Sequence, residues 1–214
     1  GADRYDIVAL GSPALDVTDF ELIQSAVSKH RPDLVVHAGA MTDVDGCEHD
    51  ARRAYRVNGL GTQNVAAVTA ERGIPIAYVS TNFVFDGSLD RPYTEFDLPS
   101  PISVYGASKL AGERAVTALN PRHYIVRTAM VYDETGLNFV NSMLRLAASH
   151  SKLTIVADQF GNPTYAGDLA EGILRLVEQP AFGTYHLTNR GSTSWHGWAT
   201  RKRPRRRRST CDGV

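Results

Sequence analysis

Tyr105 and Lys109 stand four residues apart in Val104-Tyr105-Gly106-Ala107-Ser108-Lys109, and Ser80-Thr81 closes an apolar run upstream of them. Residues four apart on a helix share a face, so the Lys can sit beside the Tyr and a common ligand. A phenol with a reference pKa of about 10 is a poor acid or base at neutral pH, and a neighbouring ammonium favours the phenolate and pulls that value toward working pH. The Tyr then becomes usable for proton transfer. Thr81 adds a hydroxyl donor for whatever oxygen the Tyr protonates. Tyr-x-x-x-Lys is common by chance, and its weight comes from the elements around it.

Those elements alternate. Tyr5 to Leu10 reads as a strand, Ala14 to Asp19 as a short extended segment, and Phe20 to His30 as a helix with Asp19 as N-cap and apolar residues at helical spacing. Asp33 to Ala38 is an apolar run, continuous enough to predict a strand buried on both faces. Asp50 to Arg72 is helical in period, Pro75 to Ser80 a second buried strand, Val104 to Leu119 a helix and Tyr124 to Arg127 a strand. Helices over Asn138 to Ser149 and Ala166 to Glu178 precede a last strand at Thr184 to Leu187. This alternation predicts βαβ units and an α/β fold, a doubly wound, Rossmann-like parallel sheet. Ligands of such sheets bind outside the carboxyl ends of the strands. Ala38-Gly39-Ala40, Ser80-Thr81 and Arg127-Thr128-Ala129-Met130 follow strand ends, so they should line one crevice with Tyr105 and Lys109.

With these residues in place, the chain resembles the extended short-chain dehydrogenase/reductases, and within them the dTDP-4-dehydrorhamnose reductases. The matching stretches are Leu15 to Asp19, Arg31-Pro32-Asp33, Ala38 to Asp45, Ser80 to Gly87, Pro101 through Tyr105 to Glu113, Arg127-Thr128 and Asp158 to Thr164. They run in order from about residue 5 to 198. The resemblance implies reduction of a sugar 4-keto group by NADPH, with NADH as the alternative cofactor. It casts Tyr105 as proton donor, Lys109 as the residue that holds the nicotinamide ribose and tunes Tyr105, and Thr81 as a ligand of the carbonyl oxygen. Asp16, Val17, Gly39, Ala40 and Thr42 fall at positions that follow the cofactor, and Val44, Asn82, Phe83 and Met130 at positions that face the sugar. The family pattern has Asp-Tyr where Asn82-Phe83 stands and Trp where Met130 stands, departures that bear on which sugar is taken. Two other classes share the fold, a sugar-nucleotide epimerase or dehydratase and a non-catalytic regulatory subunit. A dehydratase calls for a carboxylate beside Thr81, where Asn82 cannot take a proton.

The family also opens with a strand, a Gly-rich turn and a helix N-terminus that meets the pyrophosphate, and no such unit is legible here. Gly59-Leu60-Gly61 lies inside a helical stretch and reads as close packing. The expectation is therefore a Rossmann-like domain over 1–198 lacking the first βα unit, with apolar strand edges left unpaired, a small substrate lobe within 138–198 and a basic, disordered tail over 199–214. Seven of the 23 basic residues and one of the 23 acidic ones fall at 201–214, so the rest of a formally neutral chain carries a charge near −6. That tail reads as one with no selected role, and no specific nucleic-acid partner is expected.

At 214 residues and 43% hydrophobic the chain can bury a sizeable core. Cys47, placed in a polar loop, and Cys211 offer neither a disulfide framework nor metal spacing, which suits a reducing compartment. His37 and His186 read as structural rather than as ligands. No apolar run near the length of a membrane span appears, and a cytoplasmic protein, as monomer or homodimer, is expected.

Overall fold

The computed structural model describes residues 4–201. Helix α1 (Phe20–His30) starts where the Asp19 carboxylate accepts from the Leu22 N–H at 3.1 Å, and it buries Ile23 and Val27. Strand β1 (Val35–His37) leads to α2 (Val44–His49) and α3 (Ala51–Ala54), whose caps Asp43 and Asp50 each accept a backbone N–H three residues on. A π-helical stretch, Tyr55–Gly61, continues into α4 (Thr62–Glu71). Strand β2 (Ile76–Thr81), α5 (Val104–Leu119) and β3 (His123–Thr128) then follow. The remainder runs β4 (Val131–Tyr132), α6 (Phe139–Ser149), β5 (Phe160–Gly161), β6 (Thr164–Tyr165), α7 (Ala166–Val177), β7 (Gly183–His186), β8 (Thr193–Ser194) and α8 (Trp195–Ala199).

Four strands form one parallel sheet in the order β1-β2-β3-β7. One face buries Ile76, Tyr78 and Ile125 against Ile23 and Val27 of α1, Val65, Ala66 and Val68 of α4 and Val116 of α5. The opposite face buries Ala77, Tyr124 and Val126 against Leu169 and Ile173 of α7. Helices on both faces of a parallel sheet are the doubly wound α/β arrangement that the alternating pattern predicts. Beyond the sheet, β4 pairs with β6 and β5 with β8, and the rings of Tyr132, Phe139, Tyr165, Trp195 and Trp198 pack edge and face beside them.

Four local expectations need correction. Residues 5–10 form no strand, and Ile7, Val8 and Leu10 are 61%, 50% and 42% exposed. An extended segment is held by ladder hydrogen bonds to a neighbour, and among the described residues β1 pairs on one side only, with β2. The segment at 14–19 is a pair of turns rather than extended chain, because Leu15 N–H reaches back to Gly11 and Asp19 N–H to Asp16. β1 is not buried on both faces: as an edge strand it leaves Val36 45% exposed while His37 is buried. Cys47 is not in a loop but inside α2, fully buried, with burial raising its thiol pKa. The basic run from Lys202 and Cys211 lie outside the described residues.

Candidate active site

The block that carries Thr81, Tyr105 and Lys109 is assembled by buried polar contacts along α5. Ser103 caps the helix by accepting from Gly106 N–H at 3.1 Å, which sets Tyr105 in the first turn and Lys109 one turn further. Lys109 Nζ donates to the Val79 carbonyl at 2.8 Å, and one turn later Glu113 accepts from Ser80 Oγ at 2.5 Å. Helix α5 thus grips β2 at the two residues preceding Thr81. Glu113 also accepts from Arg127 Nε and Nη2, at 3.0 and 2.7 Å, and Arg127 lies directly across from Ser80 in the ladder. Glu113 and Arg127 are 3% and 7% exposed, so the pair ties α5, β2 and β3 together in a dry interior where losing either partner is costly.

Asn58 makes a second tie. From the π-helical stretch its side chain exchanges two hydrogen bonds with the backbone of Met41, at 2.8 and 3.0 Å, and donates to Ser108 Oγ at 2.9 Å. The loop that leaves β1 is thereby fixed to the helix that carries Tyr105. The π-helical stretch packs closely on the other side too, since a Cβ at Gly61 would lie 2.6 Å from Val17 Cγ2. The reading of these glycines as packing positions holds.

These ties open a cavity of about 630 Å³ at the carboxyl ends of the strands. Of the residues singled out from sequence, Ala40, Thr42, Thr81, Tyr105, Lys109 and Met130 line it. Asp16, Val17, Gly39, Val44, Asn82 and Phe83 do not. Asp16 is exposed and accepts from Thr18 N–H at 2.8 Å, which lowers its pKa, and Val17 packs toward Gly39 and Gly61. Val44 opens α2 behind the Asp43 cap. Asn82 follows Thr81 and accepts from its hydroxyl at 3.4 Å, and the ring of Phe83 stands edge-on to Tyr105 with centroids 5.6 Å apart. Met130 sits at φ 47°, a left-handed conformation uncommon for its type, with its carbonyl held by Thr164 N–H at 3.2 Å and its side chain against Gly161. The Asp158 to Thr164 motif therefore supports Met130.

Electrostatics depart from the sequence expectation at one point. Burial raises the Tyr105 phenol above its ordinary value, Thr81 opposes this by hydrogen bonding, and Lys109 contributes no resolved effect. The reason is where the ammonium goes: Nζ points to the Val79 carbonyl and lies 4.1 Å from the Tyr78 ring centroid. Burial pulls Lys109 down to about 7, with Glu113 acting in the opposite sense. His37, stacked on Tyr78, is lowered to about 3 by burial and by the Lys109 charge. It is neutral and bound to Thr62 at 3.1 Å, the structural role expected of it.

Thr128, expected in the crevice with Ala38, Ser80 and Ala129, lines the cavity with them, and what the structure adds is that its hydroxyl is buried without a hydrogen-bond partner. Its register position across from Thr81 is set by the β2–β3 ladder. Phe139, Leu169 and Trp195 were missed as lining residues because they arrive from three separate segments, α6, α7 and α8. No cluster of metal-ligating side chains occurs among the described residues, and no described helix is long and apolar enough to cross a membrane.

A family profile described as RmlD substrate binding domain matches residues 2–205. The spore coat polysaccharide biosynthesis protein SpsK of Bacillus subtilis is 37% identical over 196 residues, covering 92% of this chain and 69% of that protein. A dTDP-4-dehydrorhamnose reductase of Sinorhizobium fredii is 40% identical over 201 residues, covering 91% of this chain and 68% of that one. Among solved structures, the dTDP-4-dehydrorhamnose reductase of Bacillus anthracis in complex with NADP superposes with a TM-score of 0.87 at 40% identity, covering 92% of this chain and 71% of that chain.

Proposed function

The chain belongs to the RmlD substrate binding domain family, and from that premise we propose that it reduces the 4-keto group of dTDP-4-dehydro-L-rhamnose to dTDP-L-rhamnose with NADPH. The observation that carries the proposal is the convergence of Thr81, Tyr105 and Lys109 on one cavity at the end of β2. The donor set suits a nicotinamide cofactor. Lys109 supplies a cation, the loop at 38–42 supplies backbone polar groups at a strand end, and Thr128 supplies a buried hydroxyl with no partner of its own. Asp16, Val17, Gly39, Ala40 and Thr42 hold the cofactor side, and bound there it supplies the hydride.

The chain's own residues do the rest. Tyr105 gives its phenolic proton to the oxygen of the 4-keto group, and its raised pKa keeps that proton in place at neutral pH until the oxygen becomes basic. Thr81 donates to the same oxygen, so negative charge developing there meets two donors fixed by the fold. Lys109 holds the ribose with its ammonium and, when engaged there, lowers the cost of leaving a phenolate on Tyr105. On the sugar side Met130 lines the cavity with the Phe139 and Trp195 rings, while Asn82 and Phe83 would act from beside Thr81 and Tyr105 and Val44 from the start of α2. Asn82, a neutral amide beside Thr81, disfavours a dehydratase.

The test is direct: with dTDP-4-dehydro-L-rhamnose, NADPH absorbance should fall in step with formation of dTDP-L-rhamnose. No consumption, with the folded chain verified by circular dichroism, rejects the reading. Met130→Trp and Asn82→Asp should change KM for the keto sugar far more than for NADPH, and equal effects on both would remove these residues from the sugar side.

A further inference from the structure

Lys109 is 2% exposed, yet no carboxylate is its direct partner. Glu113, one turn along the helix, has both oxygens taken by Ser80 and Arg127. What the ammonium does touch is the Val79 carbonyl and the face of the Tyr78 ring, 4.1 Å from its centroid. Tyr78 is itself fully buried, its hydroxyl donates to the Lys109 carbonyl at 3.3 Å, and the neutral His37 ring stacks on it at 5.5 Å. Helix α5 is shaped to this ring, because a Cβ at Gly112 would stand 2.5 Å from the Tyr78 hydroxyl. Only a glycine lets the helix settle there.

We propose that Tyr78 is a positioning residue whose ring face carries the Lys109 ammonium, holding it charged and fixed at the end of β2. The ring's negative face attracts a cation most strongly where water is excluded, and a bare aliphatic neighbour in its place would leave the charge with one carbonyl. The groups facing Lys109 are Tyr105 and Glu113 on α5, Tyr78 on β2 and, through that ring, His37 on β1. Glu113 opposes burial from one turn away while its oxygens are engaged by Arg127 and Ser80, so the ring and the Val79 carbonyl are the counterweights in direct contact with the ammonium. Because Lys109 enters as a part of the proposed reductase site, the inference rests on that reading for its consequence in turnover, though not for its geometry.

The experiment replaces Tyr78 in the full chain by phenylalanine and then by mono-, di- and trifluorophenylalanine. Fluorination drains the ring face of negative charge while barely changing its size, so folding is not put at risk along the series. Lys109 Nζ is followed by nitrogen NMR against pH. The chain has four lysines, Lys29, Lys109, Lys152 and Lys202, and the resonance is assigned by its loss in Lys109→Arg. The titration midpoint of Lys109 should fall stepwise, by about one pH unit over the series, and the pH at which keto-sugar reduction is half lost on the basic side should fall with it. A midpoint that does not move with fluorine content overturns the platform, even if reduction proceeds normally. A stepwise midpoint in a chain that reduces no keto sugar keeps the platform and rejects the reductase reading.

Discussion

The wall formed by β2, α5 and β3 and the edge formed by residues 5–19 and β1 face the same cavity, and they are built in opposite ways. In the wall, Ile76, Ala77 and Tyr78 are fully buried, and every charged group near the reaction centre has a fixed partner or ring against it. At the edge, Ile7 is 61% and Val36 45% exposed, β1 is laddered on one side only, and residues 5–19 are held by turns, the Asp16 and Asp19 carboxylates and side-chain bonds from Tyr5 and Asn64. In the function proposed above, proton chemistry falls to the rigid side, where fixed dipoles act most strongly. The elongated cofactor would fall to the adaptable side.

The largest effect expected from breaking the wall is on catalysis. Tyr105→Phe should lower single-turnover reduction of the keto sugar by about 10²- to 10⁴-fold while leaving NADPH affinity almost unchanged, because the phenol acts chiefly in the transition state. An unimpaired rate would remove Tyr105 from the mechanism. Next comes Glu113→Gln, which strands Arg127 as an uncompensated buried charge and should cost about 3–5 kcal/mol of stability by urea titration. Ile76→Ala, in the same wall, should cost about 2–5 kcal/mol. Values near zero for both would show that the wall is not rigid in the sense argued here.

The pH response sharpens the comparison further. Lys109 is held at about 7, well below a free lysine, so between about pH 7 and about 10 the unfolded chain binds more protons than the folded one. Stability from this group therefore rises with pH across that window. His37, held at about 3, gives a rise of the same sign between about pH 3 and 6.5. Urea midpoints of the parent and Lys109→Met at pH 7 and at pH 9 measure the Lys109 part: the parent should gain on the variant as pH rises, and a constant gap would refute the assignment. The smallest effect belongs to the edge. Ile7→Ser should shift stability by no more than about 0.5 kcal/mol, and a loss as large as that of Ile76→Ala would erase the distinction between the two regions.

Much of this was legible in the residues themselves. The periods over Phe20–His30, Val104–Leu119 and residues 166–178, with Asp19 as a cap, located the helices because capping and amphipathic spacing are local properties. The apolar runs ending at Thr81 and Thr128 gave two of the strands for the same reason. Tyr105 and Lys109 announced themselves because helical geometry alone puts them on one face.

Pairing and burial were decided only in three dimensions. Residues 5–10 have the composition of a strand and are not one, because a strand exists only with a neighbour to bond to. The strand end at Arg127-Thr128 could be read from the chain, whereas the particular tasks of Thr128, Tyr78, Asn58 and Arg127 could not. They matter through partners 14 to 50 residues away in sequence, at Glu113, Lys109 and Ser108, or through a register across from Thr81. The direction of the Lys109 ammonium shows the same limit: spacing put it beside Tyr105, whereas dense packing around a fully buried ring turned it to Tyr78 and the Val79 carbonyl. Side-chain type and spacing are written along the chain, but the dielectric surroundings that set a group's charge are created only when distant segments close over it.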